Sequence, residues 1–296
     1  MNSPDDFPRR KVSGSLLVAY VDTGDGHDAL QLGIALARER KVTLRLVSVV
    51  PPRTPQGFGV QTQDTGYNTI VKEQTKQRLL KAVDTVPKDI SATYHVVEGA
   101  EPAVALTNAA ETFNCDLIIV GAREGGLLNR FRIGAVSSSL LYTSRIPVAL
   151  APQSYTFGGP ITRISALVGP RPGRSDVAAI GLDRAHRRAV PLRVITLRIS
   201  GEDTETDFEP QLSKALDKAL HSGQASAVTT SGTNVHAALS NLSWEEGEVA
   251  VLGSARIARE GRLFLGATAH RILKHLPVPT IVVPSGYMSA EGGDLS

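Results

Sequence analysis

The sequence predicts an α/β fold in which parallel sheets are covered by helices on both faces, with the whole arrangement occurring twice in tandem. Short apolar runs alternate with helical stretches along the chain, as parallel strands joined by crossover helices require. Two distant segments align with each other without a gap, and each closes on an apolar run bounded by prolines. At 296 residues the chain has room for two ordinary domains, so the repeat decides between one unit and two.

The repeat is clearest between the blocks that start at Gly121 and Gly253. Gly121 aligns with Gly253, Gly134 with Gly266, Pro147 with Pro279 and Pro152 with Pro284. In each block an apolar run enters the first glycine, a Gly- and Arg-rich loop follows, and a helical stretch begins near the second glycine. A short strand-like run closes it. Upstream, the first half reads as strand 16–20, helix 28–39, strand 43–50, helix 68–86, strand 92–97 and helix 102–112. The second half repeats the order with strand 164–168, helix 175–187, strand 192–197, helix 210–220, strand 225–230 and helix 233–242. Residues 153–160 carry the turn chemistry of a linker. The expected units are therefore 13–152 and 161–284, with residues 1–12 and 285–296 as disordered ends.

Composition narrows the function classes. An apolar fraction of 42% with 21% charged residues is that of a globular protein with ordinary cores. Lys and Arg number 32 against 29 Asp and Glu, a formal charge of +3 spread along the chain, which does not point to nucleic acid. The basic cluster 184–188 reads as the solvated end of a helix. The single cysteine, Cys115, excludes an intramolecular disulfide and a multi-cysteine metal site. It precedes the apolar run 117–120, reads as a buried small residue, and suits a reducing compartment. The first ten residues lack a signal-peptide core and no run of roughly eighteen apolar residues occurs, so a cytoplasmic protein without a membrane partner is expected.

Several residues carry a resemblance. They are the strand LLVAY with its following helix, the phrase VVEGAEPAVALTNAAETFNCDLIIVGA from Val96 onward, and the block ending RIPVALAP. On these the chain resembles the universal stress protein family, closely over 13–152 and more loosely over 161–284. The resemblance implies two five-stranded, Rossmann-type sheets of the adenine-nucleotide alpha-hydrolase-like kind. It also implies pairing through the last strand of each unit and a cytoplasmic, non-enzymatic, stress-linked regulatory role toward a nucleotide or a protein partner. The strands 148–150 and 280–283 are accordingly expected to pair and make the two units an internal pseudo-dimer, with further self-association left open.

Many members of that family bind ATP through a loop of Gly, two residues, Gly, nine residues, Gly and then Ser or Thr. Small residues let backbone N–H groups close on phosphate oxygens, and the following helix N-terminus adds positive partial charge. An Asp at the end of the first strand normally helps to hold the nucleotide. Carried onto this chain, Gly121 and Gly134 keep the outer spacing, whereas Glu124 takes the place of the middle glycine and Ala135 that of the hydroxyl residue. Gly125, Gly126, Ser137 and Ser138 lie close by in the sequence, and the Glu124 carboxylate repels phosphates unless a metal or Arg123 and Arg130 compensate it. Val21 occupies the Asp position, with Asp22 one place late. The candidate nucleotide contacts are thus Gly121, Arg123, Gly125, Gly126, Gly134, Ser137 and Asp22, with ATP as the implied ligand of the first half. In the second half Arg256 replaces the middle glycine and Ala267 the hydroxyl residue, Thr268 is one place late, and no acid follows the first strand.

Loss of the same features in both halves predicts weak or absent ATP binding. For Gly121 the competing reading is a strand-to-helix connection that uses glycine for its turn. The second-half loop, with Arg256, Arg259 and Arg262, invites a free anion as an alternative. A nucleotide-dependent enzyme on the same fold needs a placed acid, base or metal ligand, and the sequence offers none. His27, His95, His221, His236, His270 and His275 lack metal-ligand spacing and read as surface or helix-end residues. The polar stretch 51–66 reads as a long loop, either a flap over the first site or a disordered segment, and Trp244 reads as an anchor for a helix end.

Overall fold

The computed structural model describes residues 14–40, 42–52, 64–122, 133–156, 159–168, 175–200, 214–254 and 263–284. The first half runs β1 (Ser15–Ala19), α1 (Gly24–Arg40), β2 (Thr43–Val50), α2 (Asp64–Asp84), β3 (Ala92–Glu98), α3 (Pro102–Thr112), β4 (Ile118–Gly121), α4 (Ala135–Thr143) and β5 (Val148–Ala151). The second half repeats it as β6 (Arg163–Val168), α5 (Ser175–Arg188), β7 (Leu192–Ile199), α6 (Lys214–His221), β8 (Ala225–Gly232), α7 (Val235–Ser240), β9 (Glu248–Gly253), α8 (Ala267–His275) and β10 (Thr280–Val283).

All ten strands join one sheet, in the order β3-β2-β1-β4-β5-β10-β9-β6-β7-β8. Neighbours within each half are parallel. The junction between β5 and β10 is antiparallel, pairing Leu150 with Thr280, Ala149 with Ile281 and Val148 with Val282. Since Pro147 aligns with Pro279, Ala149 and Ile281 are equivalent positions that face each other, and the pairs on either side are exchanged equivalents. That register is the mark of a local twofold relation between the halves.

Strand pleating sorts the core into two layers. One face carries α1, α2, α5 and α6, with Ala149, Ala151, Ile281 and Val283 of the junction contributing to the same cluster. The other face carries α3, α4, α7 and α8 around Val148, Leu150 and Val282. Each apolar layer therefore passes from one half into the other. A further tie comes from the segment before α8: the Leu263 N–H donates to the Ser144 carbonyl at 2.8 Å and the Leu265 N–H to the Leu141 carbonyl at 3.2 Å. Beside them the Phe264 ring meets Tyr142 edge-on, centroids 5.3 Å apart.

The linker is held as well. Asp28 on α1 accepts the Ser154 N–H at 2.9 Å, and Ser154 adopts a left-handed φ of 58°. Burial raises the Asp28 carboxyl above its ordinary value, against the opposing pull of N–H donors from Ser154 and Tyr155.

Some boundaries differ from the sequence reading. Helix α1 begins at Gly24 rather than near residue 28, because the His27 N–H donates to the Thr23 carbonyl and draws the polar stretch before it into the first turn. The last residues of the supposed loop 51–66 belong to α2, which starts at Asp64; residues 53–63 lie outside the described residues. Helix α7 is shorter than 233–242 because Asn234 caps it, its side chain accepting the Ala237 N–H at 2.9 Å. The described part of α6 begins at Lys214, and residues 210–213 lie outside the described residues. The basic residues His186, Arg187 and Arg188 do fall in the last turn of α5, with Arg187 paired to Asp183 at 3.0 Å.

Two predictions follow from these contacts. Ala149→Ile sets two isoleucines opposite each other in a fully buried strand pair and should cost about 1–3 kcal/mol by overpacking. Adding Ile281→Ala should recover most of that loss, since the swapped pair is the same pair viewed from the other half; urea midpoints showing no recovery would refute the twofold register. For Asp28 the folded pKa is raised, so its stabilising contribution is present below the unfolded value and is lost as pH rises through the folded one. Asp28→Asn keeps an acceptor without a charge to desolvate, so its stability relative to wild type should be greatest at about pH 7 and fall by about pH 4. Denaturation midpoints moving the opposite way would contradict this.

Candidate functional site at the strand C-termini

In an open parallel sheet, ligands settle beyond the C-terminal strand ends. In the first half that region is formed by the end of β1, the end of β4 and the start of α4. Gly121 ends β4 against the first turn of α1, where a Cβ would lie 1.9 Å from the Asp25 carbonyl oxygen. No side chain larger than hydrogen fits there, so packing alone accounts for this glycine. Gly253 repeats the constraint: its Cβ would lie 2.5 Å from a methyl of Val177 on α5. Gly26 is pressed in the same way against the Val21 carbonyl.

Gly134 is the N-cap of α4, with φ −69° and ψ 168°, and no side chain caps that helix. An L-residue adopts these angles readily, so backbone conformation does not require glycine here. Gly266 stands at the N-cap of α8 in the same conformation. Ser137, one turn into α4, is buried with its hydroxyl 3.5 Å from the Gly121 carbonyl. The fold thus brings Gly121, Gly134 and Ser137 to one place. Arg123, Gly125 and Gly126 lie outside the described residues, as do Glu124, Arg130, Arg256, Arg259 and Arg262.

Asp22 sits at the same end of the sheet, with its carboxylate engaged by neighbours. His27 Nε2 lies 3.4 Å from it, and the Tyr20 hydroxyl donates to it at 3.5 Å. Tyr20 is buried, and its hydroxyl is pushed up to about 12 by that burial and then by the Asp22 charge. Its ring meets His27 edge-on at 5.7 Å. Val21, at the position where the family resemblance places an Asp, is half exposed.

The opposite end of the sheet holds a polar cluster that the sequence reading missed. Glu248 starts β9 with its side chain fully buried. It accepts from Arg193 at 2.5 Å, from Arg163 at 2.7 Å, and from the Ser165 hydroxyl. Arg193 also donates to the Ser165 hydroxyl at 3.0 Å and to the Ser243 carbonyl at 2.9 Å, while its guanidinium lies 4.8 Å above the Trp244 ring. Trp244 in turn donates to the Leu239 carbonyl of α7 at 3.3 Å, which fits the anchoring role expected of it. The first half has a simpler counterpart: Arg45 lies over Phe113 at 5.1 Å and donates to Ser15 at 3.3 Å. The available signal was charged residues set inside apolar strand runs, Arg193 in LRVITL and Glu248 before VAVLG. A buried pair of this kind needs every polar atom answered, and its position at the strand N-termini makes it part of the scaffold.

Among the described residues no three His, Cys, Asp or Glu side chains converge as a metal site. Cys115 is fully buried. None of the described helices is long and apolar enough to cross a membrane.

Comparison with known proteins follows the same lines. Residues 14–152 match the family model described as the universal stress protein family. These residues form a domain of the universal stress protein family. A universal stress protein of Mycobacterium tuberculosis is 24% identical over 91% of this chain and 99% of its own length, and one of Mycobacterium bovis aligns equally well. Among solved structures, a universal stress protein from Archaeoglobus fulgidus superposes with a TM-score of 0.67 at 16% identity, covering 93% of this chain and 99% of that one. A functionally unknown protein from Pseudomonas aeruginosa gives 0.56 at 17% identity, covering 92% of each chain. These two show a shared fold.

If packing is what fixes Gly121, then Gly121→Ala should destabilise the ligand-free protein by an amount on the order of 3 kcal/mol, read as a lowered urea midpoint. An unchanged midpoint would return this glycine to a ligand-binding role.

Proposed function

We propose that this universal stress protein is a cytoplasmic, non-enzymatic regulatory binding protein built from units 13–152 and 161–284, with an ATP loop that is degenerate in both. The observation that carries the reading is the environment of Gly121 and Gly253: each is held against a neighbouring helix, so the first glycine of each loop is accounted for without a phosphate. Glu124 and Arg256 at the middle-glycine positions, and Val21 where an Asp is expected, point the same way. The antiparallel junction supports reading the two units as an intramolecular counterpart of a paired dimer. Regulation then works through the protein's surface, toward a protein partner.

A second reading is favoured by one feature. The uncapped start of α4 meets Gly121 and Ser137 at the strand C-termini, the arrangement from which an adenine nucleotide site in the first half would be made. Titration calorimetry with ATP, ADP, AMP and cyclic AMP, with and without magnesium, separates the two. The degenerate-loop reading expects no saturable heat from any of them. Saturable ATP binding in the wild type that disappears in Gly134→Val would establish the second reading instead.

A further inference from the structure

Helices α7 and α8 of the second half pack side by side and bring together two histidines that are far apart in the chain. His236, near the start of α7, and His275, the last residue of α8, lie with ring centroids 5.0 Å apart and ring planes inclined by 50°. His236 is exposed and His275 is half-buried. The Nδ1 atom of His275 is out of contact with water and has no hydrogen-bond partner among the described residues. The matching helices of the first half, α3 and α4, contain no histidine.

We infer that His236 and His275 form a two-imidazole site for a borderline divalent transition-metal ion such as Zn²⁺. Imidazole nitrogens bind such an ion at about 2.0–2.1 Å with a tetrahedral angle between them, which sets two ligating ring centroids roughly 5 Å apart. The observed separation meets that requirement without moving either helix. Metal binding needs neutral imidazole. Solvent at the exposed His236 side supplies the remaining ligands. The Lys274 ammonium opposes a cation as well as a proton, so the affinity is modest. Imidazole donors with no carboxylate among them select zinc, copper or nickel over magnesium or calcium.

Untagged full-length protein, stripped of metal by chelation, is titrated calorimetrically with ZnCl₂ and in parallel with MgCl₂. The site predicts one Zn²⁺ per chain, no saturable Mg²⁺ binding, and at least a tenfold loss of Zn²⁺ affinity in His236→Ala and in His275→Gln. His270→Ala, on the same helix but outside the pair, should bind as the wild type does. As a second readout, substoichiometric Ni²⁺ should broaden the imidazole proton resonances of His236 and His275 before those of the other histidines. Because His236 is exposed, its variant keeps the fold, which circular dichroism verifies. Unchanged Zn²⁺ binding in folded His236→Ala, equal binding of Mg²⁺, or no saturable Zn²⁺ binding would each overturn the assignment.

Discussion

Strands β5 and β10 are only four residues long, wholly apolar or nearly so, and fully buried, and they meet antiparallel in the middle of a sheet that is otherwise parallel. Standing alone, either half would present this strand as an open edge with unpaired N–H and C=O groups and no charge to discourage a partner. Pairing satisfies both edges at once. It also lets the apolar layer on each face run through the junction, since Ala149 and Ile281 share one cluster and Leu150 and Val282 the other. With the halves side by side, the Phe264 segment docks onto α4.

From that arrangement the sheet acquires two chemically different ends. At the strand C-termini lie glycines, small hydroxyls and helix starts, where close backbone approach is the governing constraint. At the N-termini of β6, β7 and β9 lie Arg163, Arg193 and Glu248, a buried ionic cluster capped by Trp244. The first end is where a ligand would be held. The second ties strand starts together, and its buried charges make register errors costly, because a shifted strand would strand a guanidinium or a carboxylate.

The two halves have diverged in ways that follow this division. In the second, Ser254 accepts the Phe264 N–H at 2.6 Å and donates to the Phe264 carbonyl at 3.1 Å, clamping the segment that reaches across to the first half. The aligned residue in the first half is Ala122, which has no group to do this. The first half instead supplies Asp28, whose carboxylate holds the turn at Ser154. The second half thus contributes a contact across the junction, and the first a contact to the linker.

Much of the fold was legible because α/β alternation and an ungapped repeat leave few topologies open: the strand and helix order, the burial of Cys115 and the pairing of the two last strands all follow from local pattern and the need to cover edges. The candidate site was legible only as a set of residue types. That Gly121 lies against the Asp25 backbone, that Asp22 is engaged by His27 and Tyr20, and that α1 starts as early as Gly24 depend on how one helix settles over two strand ends. The pairing of Arg193 with Glu248 and of His236 with His275 was hidden for the same reason, since neither pair is close in the chain. The sequence by itself determined which elements form and how often, because propensity and hydrophobic period are local properties. Which side chains meet was decided by tertiary structure alone, because contact across a sheet is set by register and helix placement, which no single segment encodes.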